Sequence, residues 1–421
     1  MLQSTLFTKT RREAPKDEEA RNAKLLIRAG FIYKEMAGVY SFLPLGLLVL
    51  NKVVELIRKE MNALGGQEVF LSALQDRSVW EKTGRFDDRA VDIWFKTALK
   101  NKSELGLSFT HEEPLTRIAK DQINSFRDLP RYVYQFQTKF RNEKRAKSGI
   151  LRTREFLMKD LYSFSKDEKE HAEFYEKAKE SYKRIFEKVG IGEFTYLTYA
   201  SGGSFSKYSH EFQTIASAGE DLIRLCGKCK VAVNDEIFAE QKVCPSCGEK
   251  NLKEEKAVEV GNIFTLGTRF SDSFGLNYAD EKGVSRPVFM GSYGIGPGRL
   301  IGAVAEIRSD ASGLVWPDAI APFALHLLAL PGSEQTRLKA DKLYGDLTSE
   351  SVSVLYDDRD ARAGEKFADA DLIGLPRRVV VSEKALAEGK IEIKNRRTGK
   401  VEMIDESQFL KYLKSNASQI S

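Results

Sequence analysis

YVYQFQTKFRNEKRAKSGILRTREFLMKDLYSFSK, residues 132–166, is the stretch from which the architecture is read. Its first part, YVYQFQTKFRNE (132–143), alternates aromatic or aliphatic with polar residues, the period of a half-buried strand. A basic loop follows, and REFLMKDLYSFSK (154–166) resumes extended structure. Residues 139–155 hold seven Lys/Arg and two Glu, a net +5 that equals the formal charge of the whole chain. A strand carrying Arg141 and Glu143 on one face, then a basic loop and Arg152, suits a polyphosphate, because arginine pairs bidentately with phosphate oxygens. A solvated basic hairpin has the same composition, so both readings stand at this point.

Upstream, residues 48–64 place Leu50, Val53, Val54, Ile57 and Met61 on one side of an amphipathic helix. Gly65-Gly66 ends it, and residues 67–74 read as a strand. Residues 113–127 read as helix, as do 167–189 with their charged outer side. FTYLTYA (194–200) is a strand, SGGSFS (201–206) a loop, and residues 210–225 a strand, loop and strand. EKAVEVGNIFTLG (255–267) and PVFMGSYGIG (287–296) are strands, and GRLIGAVAEIR (298–308) is a helix. The last hundred residues alternate strand and helix, a compact α/β pattern that begins beyond the turn-rich GLVWPDAIAPF (313–323).

The expected fold class is α/β: a large α+β domain on a mainly antiparallel sheet, a small cysteine module inserted in it, and a C-terminal α/β domain. The expected boundaries are 1–221 and 257–318 for the two parts of the large domain, 222–256 for the module and 319–421 for the last domain. With 421 residues, 42% hydrophobic and 30% charged, the chain is too long for one small domain and too apolar for disorder. A net charge of +5 is too small for a histone-like or membrane-coating protein. All four cysteines fall within a window of 22 positions, which excludes a disulfide-built secreted scaffold. The N-terminal residues carry acids and lack an apolar core, and no apolar run approaches the ~20 residues of a membrane span. A cytoplasmic protein without a membrane span is expected.

Three further motifs carry chemistry. Cys226-x-x-Cys229 and Cys244-x-x-Cys247, 14 residues apart, have the spacing at which four thiolates turn toward one tetrahedral Zn²⁺. A closed four-ligand site favours a structural role; buried free thiols or a redox pair are the alternatives. GSYGIGPGRL (291–300) is a glycine-rich strand-to-helix junction ending in Arg299, which offers close backbone approach and a helix N-terminus to an anion. A tightly packed turn is its plain alternative. FTHEEP (109–114) puts carboxylates beside a hydroxyl, fit to hold a cationic amine. The same Thr110-x-x-Glu113 spacing is that of a helix capping box.

Together these segments resemble a class II aminoacyl-tRNA synthetase, and within that class a prolyl-tRNA synthetase of bacterial type. The second class motif is matched by Phe140, Arg141 and Glu143, then Arg152, Phe156 and Asp160; the third by Gly294, Gly296, Gly298 and Arg299. The first is the long helix and strand ending at Leu71, with Ser72 where the family pattern has proline. THEE, RTREFLMKDLYSF, SHEFQ, GSYGIG and DDRDARAGEKFADADLIGLP carry the prolyl resemblance, which spans essentially the whole chain.

The resemblance implies activation of proline by ATP, accompanied by Mg²⁺, and transfer of the prolyl group to tRNA(Pro) by a homodimer. Thr110 and Glu112 would receive the imino group, with Met158, Tyr162, His210 and Phe212 shaping the prolyl pocket. Arg141 would meet the α-phosphate and carboxylate oxygens and Arg152 the γ-phosphate. Glu143 would orient adenine, which would lie between Phe156 and Arg299 near Gly296. The proline carboxylate is already a nucleophile, so catalysis would be positioning and electrostatics. The last domain resembles the family's anticodon-binding domain. Residues 319–421 carry 16 basic and 16 acidic side chains, so recognition there would rest on placement, with Arg359, Arg362 and Lys366 as candidates. Relatives with an editing domain carry it where this chain has only the cysteine module, so no cis-editing of alanyl-tRNA(Pro) is expected. Alanine misactivation then follows, since one or two methylenes discriminate by only ~1–3 kcal/mol. A sister synthetase of the same class and a non-catalytic RNA-binding relative are the competing readings. The intact Arg141, Glu143, Arg152 and Arg299 speak against the second.

Overall fold

The computed structural model describes residues 1–144, 146, 148–202 and 208–415. Arg145 and Lys147 of the basic loop, and residues 203–206 of the expected SGGSFS loop, lie outside the described residues.

Packing divides the chain into two units: Met1–Glu35, Tyr40–Val53 and Val304–Ser421 form one, Met36–Val39 and Val54–Ala303 the other. These units do not follow the boundaries read from the sequence, because the N-terminal residues are stitched to the last part of the chain. The Met1 ammonium donates to the Val354 carbonyl (2.8 Å), and the Gln3 amide donates to the Tyr356 carbonyl (2.7 Å). Ser4 donates through its amide and hydroxyl to Asp358, and Thr10 donates to Asp369.

Helix α1 (Pro44–Ala63) is divided between the units after Val53, and its part in the unit that carries the class motifs buries Val54, Ile57 and Met61, as its period requires. Gly65, at φ +82°, closes it. The expected strand over 67–74 is reduced to β1 (Gln67–Glu68). Beyond Val69 its ladder is replaced by side-chain amides: the Leu71 N–H donates to Gln135 Oε1, and the Leu71 carbonyl accepts from Gln137 Nε2.

The sheet continues with β2 (Arg131–Phe140), β3 (Glu155–Ser165), β4 (Thr195–Ser201), β5 (Tyr208–Ile215), β6 (Asp221–Cys226), β7 (Val231–Asn234), β8 (Leu252–Gly267) and β9 (Phe289–Ile295). Their order is β5-β4-β7-β6-β8-β9-β3-β2-β1, with β5 also paired to β8. Only β1–β2 and β4–β7 are parallel. The expected antiparallel sheet is thus present. Helix α2 (Glu112–Gln122) enters it from the loop after residues 104–107, and α3 (Glu168–Val189) covers one face. Aromatic packing fixes α3 there: Tyr132 stacks on Phe174 at 3.8 Å, and Phe212 meets Tyr182 and Phe186. The other face, reached by Arg141, Met158, Tyr162, Asn262 and Ser292, is left for the site. Helix α4 (Pro297–Ile307) follows β9 directly.

In the other unit, β10 (Leu325–Ala329), β11 (Val354–Asp357), β12 (Arg377–Val381), β13 (Lys390–Asn395) and β14 (Val401–Asp405) are ordered β11-β10-β12-β13-β14. The β10 strand is parallel to both its neighbours, and β13 and β14 form the expected hairpin. Helices α5 (Glu334–Ser349) and α7 (Phe409–Ser415) bury Ala340, Leu347, Phe409 and Leu413 against this sheet, and α6 (Ala363–Ile373) packs Ala370 against Leu328 and Val380.

Candidate active site and cysteine cluster

Strand alternation decides which side chains meet. On β3 the residues Met158, Asp160 and Tyr162 point to the face away from α3 and, with Arg141 just past the end of β2 and with Phe109, Thr110 and Glu112, line a cavity of about 370 Å³. Its floor includes Gly294, where a Cβ would stand 2.5 Å from Met158 Cε and 2.7 Å from Asn262 Oδ1. Glu112 is buried, and its oxygens are held by Thr110 Oγ1 (2.6 Å), Tyr162 Oη (3.3 Å) and Ser292 Oγ (3.3 Å), all donating. A carboxylate so oriented in a cavity is a receptor for a cationic amine.

The capping box does not form. The cap position of α2 is His111, whose side chain makes no capping bond, and Glu113 turns instead to Thr83 and Arg85. Thr110 spends its hydroxyl on Glu112. His111 is wholly buried: Lys139 Nζ donates to its Nδ1, so Nε2–H donates to the Ser72 carbonyl (3.1 Å). Burial, aided by the Lys139 cation, pulls this imidazole down to about 4, so it is neutral at pH 7. Lys139 also donates to Asp160 (3.0 Å), giving a paired ion set at the cavity wall.

A second cavity of about 160 Å³ is lined by Arg141, Glu143, Arg152, Glu220, Glu259 and Arg299, among others. Arg141 borders both. Its guanidinium sits between the rings of Phe109 and Phe156, 5.0 and 5.3 Å from their centroids. It has no carboxylate partner among the described residues, and its Nε is unpaired. Burial, followed by repulsion from Arg299, holds its pKa below the ordinary guanidinium value. The other two arginines are neutralised: Arg152 pairs with Glu143 (3.1 Å) and Glu220 (2.6 Å), Arg299 with Glu259 (3.3 Å). Phe156 packs against Arg141 and does not line the second cavity, and neither does Gly296.

Two pocket expectations are corrected. His210 and Phe212 lie on the α3 side of the sheet, because β5 presents Glu211 and Gln213 to the other side. His210 is hydrogen-bonded to Tyr175 of α3 (2.7 Å) and lines a separate cavity of about 460 Å³; Phe212 is buried against Tyr182 and Phe186. Sequence reading missed Glu259 and Asn262. An extra residue in β8, opposite Phe212 and Gln213, re-aims Glu259 to the site face, where Asn262 Nδ2 donates to it (2.8 Å). A bulge leaves no mark in the apolar–polar pattern of residues 255–267. Arg85 and Ser292 were also missed: Arg85 stands in no chemical motif, and Ser292 lies in the glycine-rich motif 291–300, where only the glycines and Arg299 were read as functional.

In the other unit, Lys366 is only 2% exposed and donates to the Ala329 (2.7 Å) and Asp357 carbonyls, so it is a buried tether and not a contact for RNA. Arg359 is held by Asp357 and Asp369, while Arg362 stands exposed at the cap of α6.

The four cysteines gather where β6 ends and β8 begins. Their sulfurs lie within 4.8 Å of one another, and Cys226 and Cys247 Sγ are 3.7 Å apart. A disulfide needs ~2.05 Å, whereas ~2.3 Å Zn–S bonds at tetrahedral angles put sulfurs about 3.8 Å apart. The donor set therefore fits a tetrahedral thiolate-bound ion.

Among the described residues no helix is long and apolar enough to cross a membrane. The model of the tRNA synthetase class II core domain (G, H, P, S and T) matches residues 95–308, and that of the anticodon binding domain matches 326–416. A proline–tRNA ligase from Xanthobacter autotrophicus is 37% identical over 444 residues, covering 99% of this chain and 100% of that protein. One from Rickettsia bellii is 37% identical over 420 residues, covering 96% of each. In fold, the chain is similar to prolyl-tRNA synthetase from Cryptosporidium parvum, solved with L-proline and AMP, at TM-score 0.75 and 17% identity. That match covers 95% of this chain and 76% of that one. With both family models matched in order and near full-length relatives at this identity, the chain belongs to the prolyl-tRNA synthetases, the proline–tRNA ligases of class II.

Proposed function

We propose that the 370 Å³ cavity takes L-proline, the 160 Å³ cavity takes the phosphates of ATP, and Arg141 serves both. The observation that carries this reading is the half-buried Arg141, which borders both cavities without a carboxylate partner among the described residues. Glu112 and Thr110 accept the imino group. One carboxylate oxygen of proline attacks the α-phosphorus of ATP, the bond to the oxygen bridging to the β-phosphate breaks, and pyrophosphate leaves. Arg141 stabilises the charge that builds on the α-phosphate, and Arg299 and Arg152 hold the remaining phosphates. A ribose hydroxyl of the terminal adenosine of tRNA(Pro) then attacks the prolyl carbonyl, and AMP leaves. Met158 and Tyr162 wall the amino acid. Arg362 remains the candidate for the anticodon, for it is the exposed cation of the three.

The cysteine cluster is proposed to hold one structural Zn²⁺, supported by its sulfur spacing. Residues 222–256 are spent on β6, β7, the cysteine turns and the start of β8, which supports the absence of an editing domain there. A homodimer is proposed through the region after α1. There Phe70 is 80% and Leu74 55% exposed beside the two-residue edge strand β1.

Amino-acid-dependent ATP–pyrophosphate exchange, run with all twenty amino acids, tests the activation step. Exchange with proline, and weaker exchange with alanine, is expected. Exchange with none of them, in folded protein that binds ATP, would favour a non-catalytic RNA-binding relative.

A further inference from the structure

Behind Glu112 lies a second carboxylate that lines neither of these two cavities. Glu113 is fully buried and accepts from Thr83 Oγ1 (2.8 Å) and from Arg85 Nη1 at both oxygens (3.0 and 3.2 Å). The same Arg85 Nη1 is 3.6 Å from Glu112 Oε2, and Arg85 lines the cavity. A guanidinium therefore stands beside the carboxylate that is to receive a cationic amine.

The local charges decide what this means. Among the groups around the cavity, Asp160 is cancelled by Lys139 and Asp92 by Lys144. Arg141 is left for the substrate's anionic end. What remains is Glu112 against Arg85, a sum of zero, which gives an ammonium no reason to enter. Glu113 restores a net charge of −1 and draws Arg85 toward itself. We propose that Glu113 is a positioning residue for the amine: it holds Arg85 off Glu112 and so keeps the Glu112 carboxylate open to a cationic imino group. This rests on the reading that Glu112 receives proline. When Glu113 is neutral, Arg85 closes on Glu112 and competes with the substrate.

Glu113 is also able to change its charge near neutral pH. Burial pushes its carboxyl up to about 7, opposed by Arg85 and aided by Glu112. The groups on the elements packed around it are engaged elsewhere. Lys82 lies over Phe274, Arg269 over Phe270, Asp272 accepts from Thr268, and Arg77 pairs with Glu81. His111 is neutral throughout this range. Glu113 protonates as pH falls through about 7, so proline affinity is expected to fall in the same direction.

The test is proline-dependent pyrophosphate exchange by the full chain between pH about 6 and 8, with wild type, E113Q and R85M/E113Q. In wild type, KM for proline should rise as pH falls, with KM for ATP steady. E113Q should raise KM for proline about tenfold and flatten its pH dependence, with kcat changed less than about threefold. R85M/E113Q should return KM to within about threefold of wild type, because the competitor is gone along with its keeper. A wild-type KM that is flat with pH, an E113Q KM equal to wild type, or a double variant no better than E113Q each overturns the proposal. If E113Q fails to fold by thermal melt, the wild-type pH profile decides. Absence of proline exchange in wild type at every pH instead overturns the reading of the cavity itself, and this proposal with it.

Discussion

Glu112 and Arg141 show how single residues acquire chemistry from what surrounds them. Glu112 is one of two adjacent glutamates, and nothing in THEE distinguishes them by type. The helix start separates them: one carboxylate turns into the cavity with Thr110, Tyr162 and Ser292 as donors, the other turns back to Arg85. Sequence reading found the cavity glutamate through resemblance, and from the residues alone it left Glu113 as a cap. Gly294 makes the residue-scale prediction. An alanine there would drive Met158 and Asn262 out of place and narrow the cavity. Gly294→Ala is expected to raise KM for proline at least about fivefold while KM for ATP and the melting temperature change little. Exchange kinetics titrated in proline and then in ATP check it, and an unchanged proline KM would show that the cavity is not where proline binds.

At the scale of elements, β8 joins two jobs. Its first six residues pair with β6 and frame the cysteines, and its later residues pair with β5 and β9 and deliver Glu259, Asn262 and Phe264 to the site face. Strand identity was legible from the alternation in residues 255–267, and so were β2, β3 and α3. The phase was not. A period of two says that His210 and Phe212 share a face, but α3 claims that face by its aromatic packing, and the site falls on the other. The cysteine cluster was legible in full, because two C-x2-C pairs bring their own turn geometry. Metal analysis of the purified protein is expected to give one zinc per chain. Cys244→Ser should lower both the zinc content and the melting temperature, since β6 and β8 would lose the ion that ties their ends. Protein of full stability that holds no metal would leave four packed thiols.

At the scale of the whole molecule, the exposed Phe70 and Leu74 beside the edge strand β1 make a testable surface. Sedimentation velocity should return twice the 47.5 kDa chain mass for wild type, and Phe70→Asp should shift it toward one chain mass. A wild-type monomer at micromolar concentration would remove the dimer from the mechanism. By itself the sequence determined the element types, the four thiolates and the order of the class motifs, because hydrophobic period, turn residues and ligand spacing are local properties of the chain. Tertiary structure decided the rest. It grouped residues 1–35 and 40–53 with the C-terminal unit, with backbone bonds from the N-terminus to β11, turned His210 away from the cavity and re-aimed Glu259 by one extra residue. It also buried Lys366 under carbonyls and set Arg85 between two glutamates. Each of these depends on which face a neighbour occupies, and that is set by packing across large sequence separations, which no local pattern records.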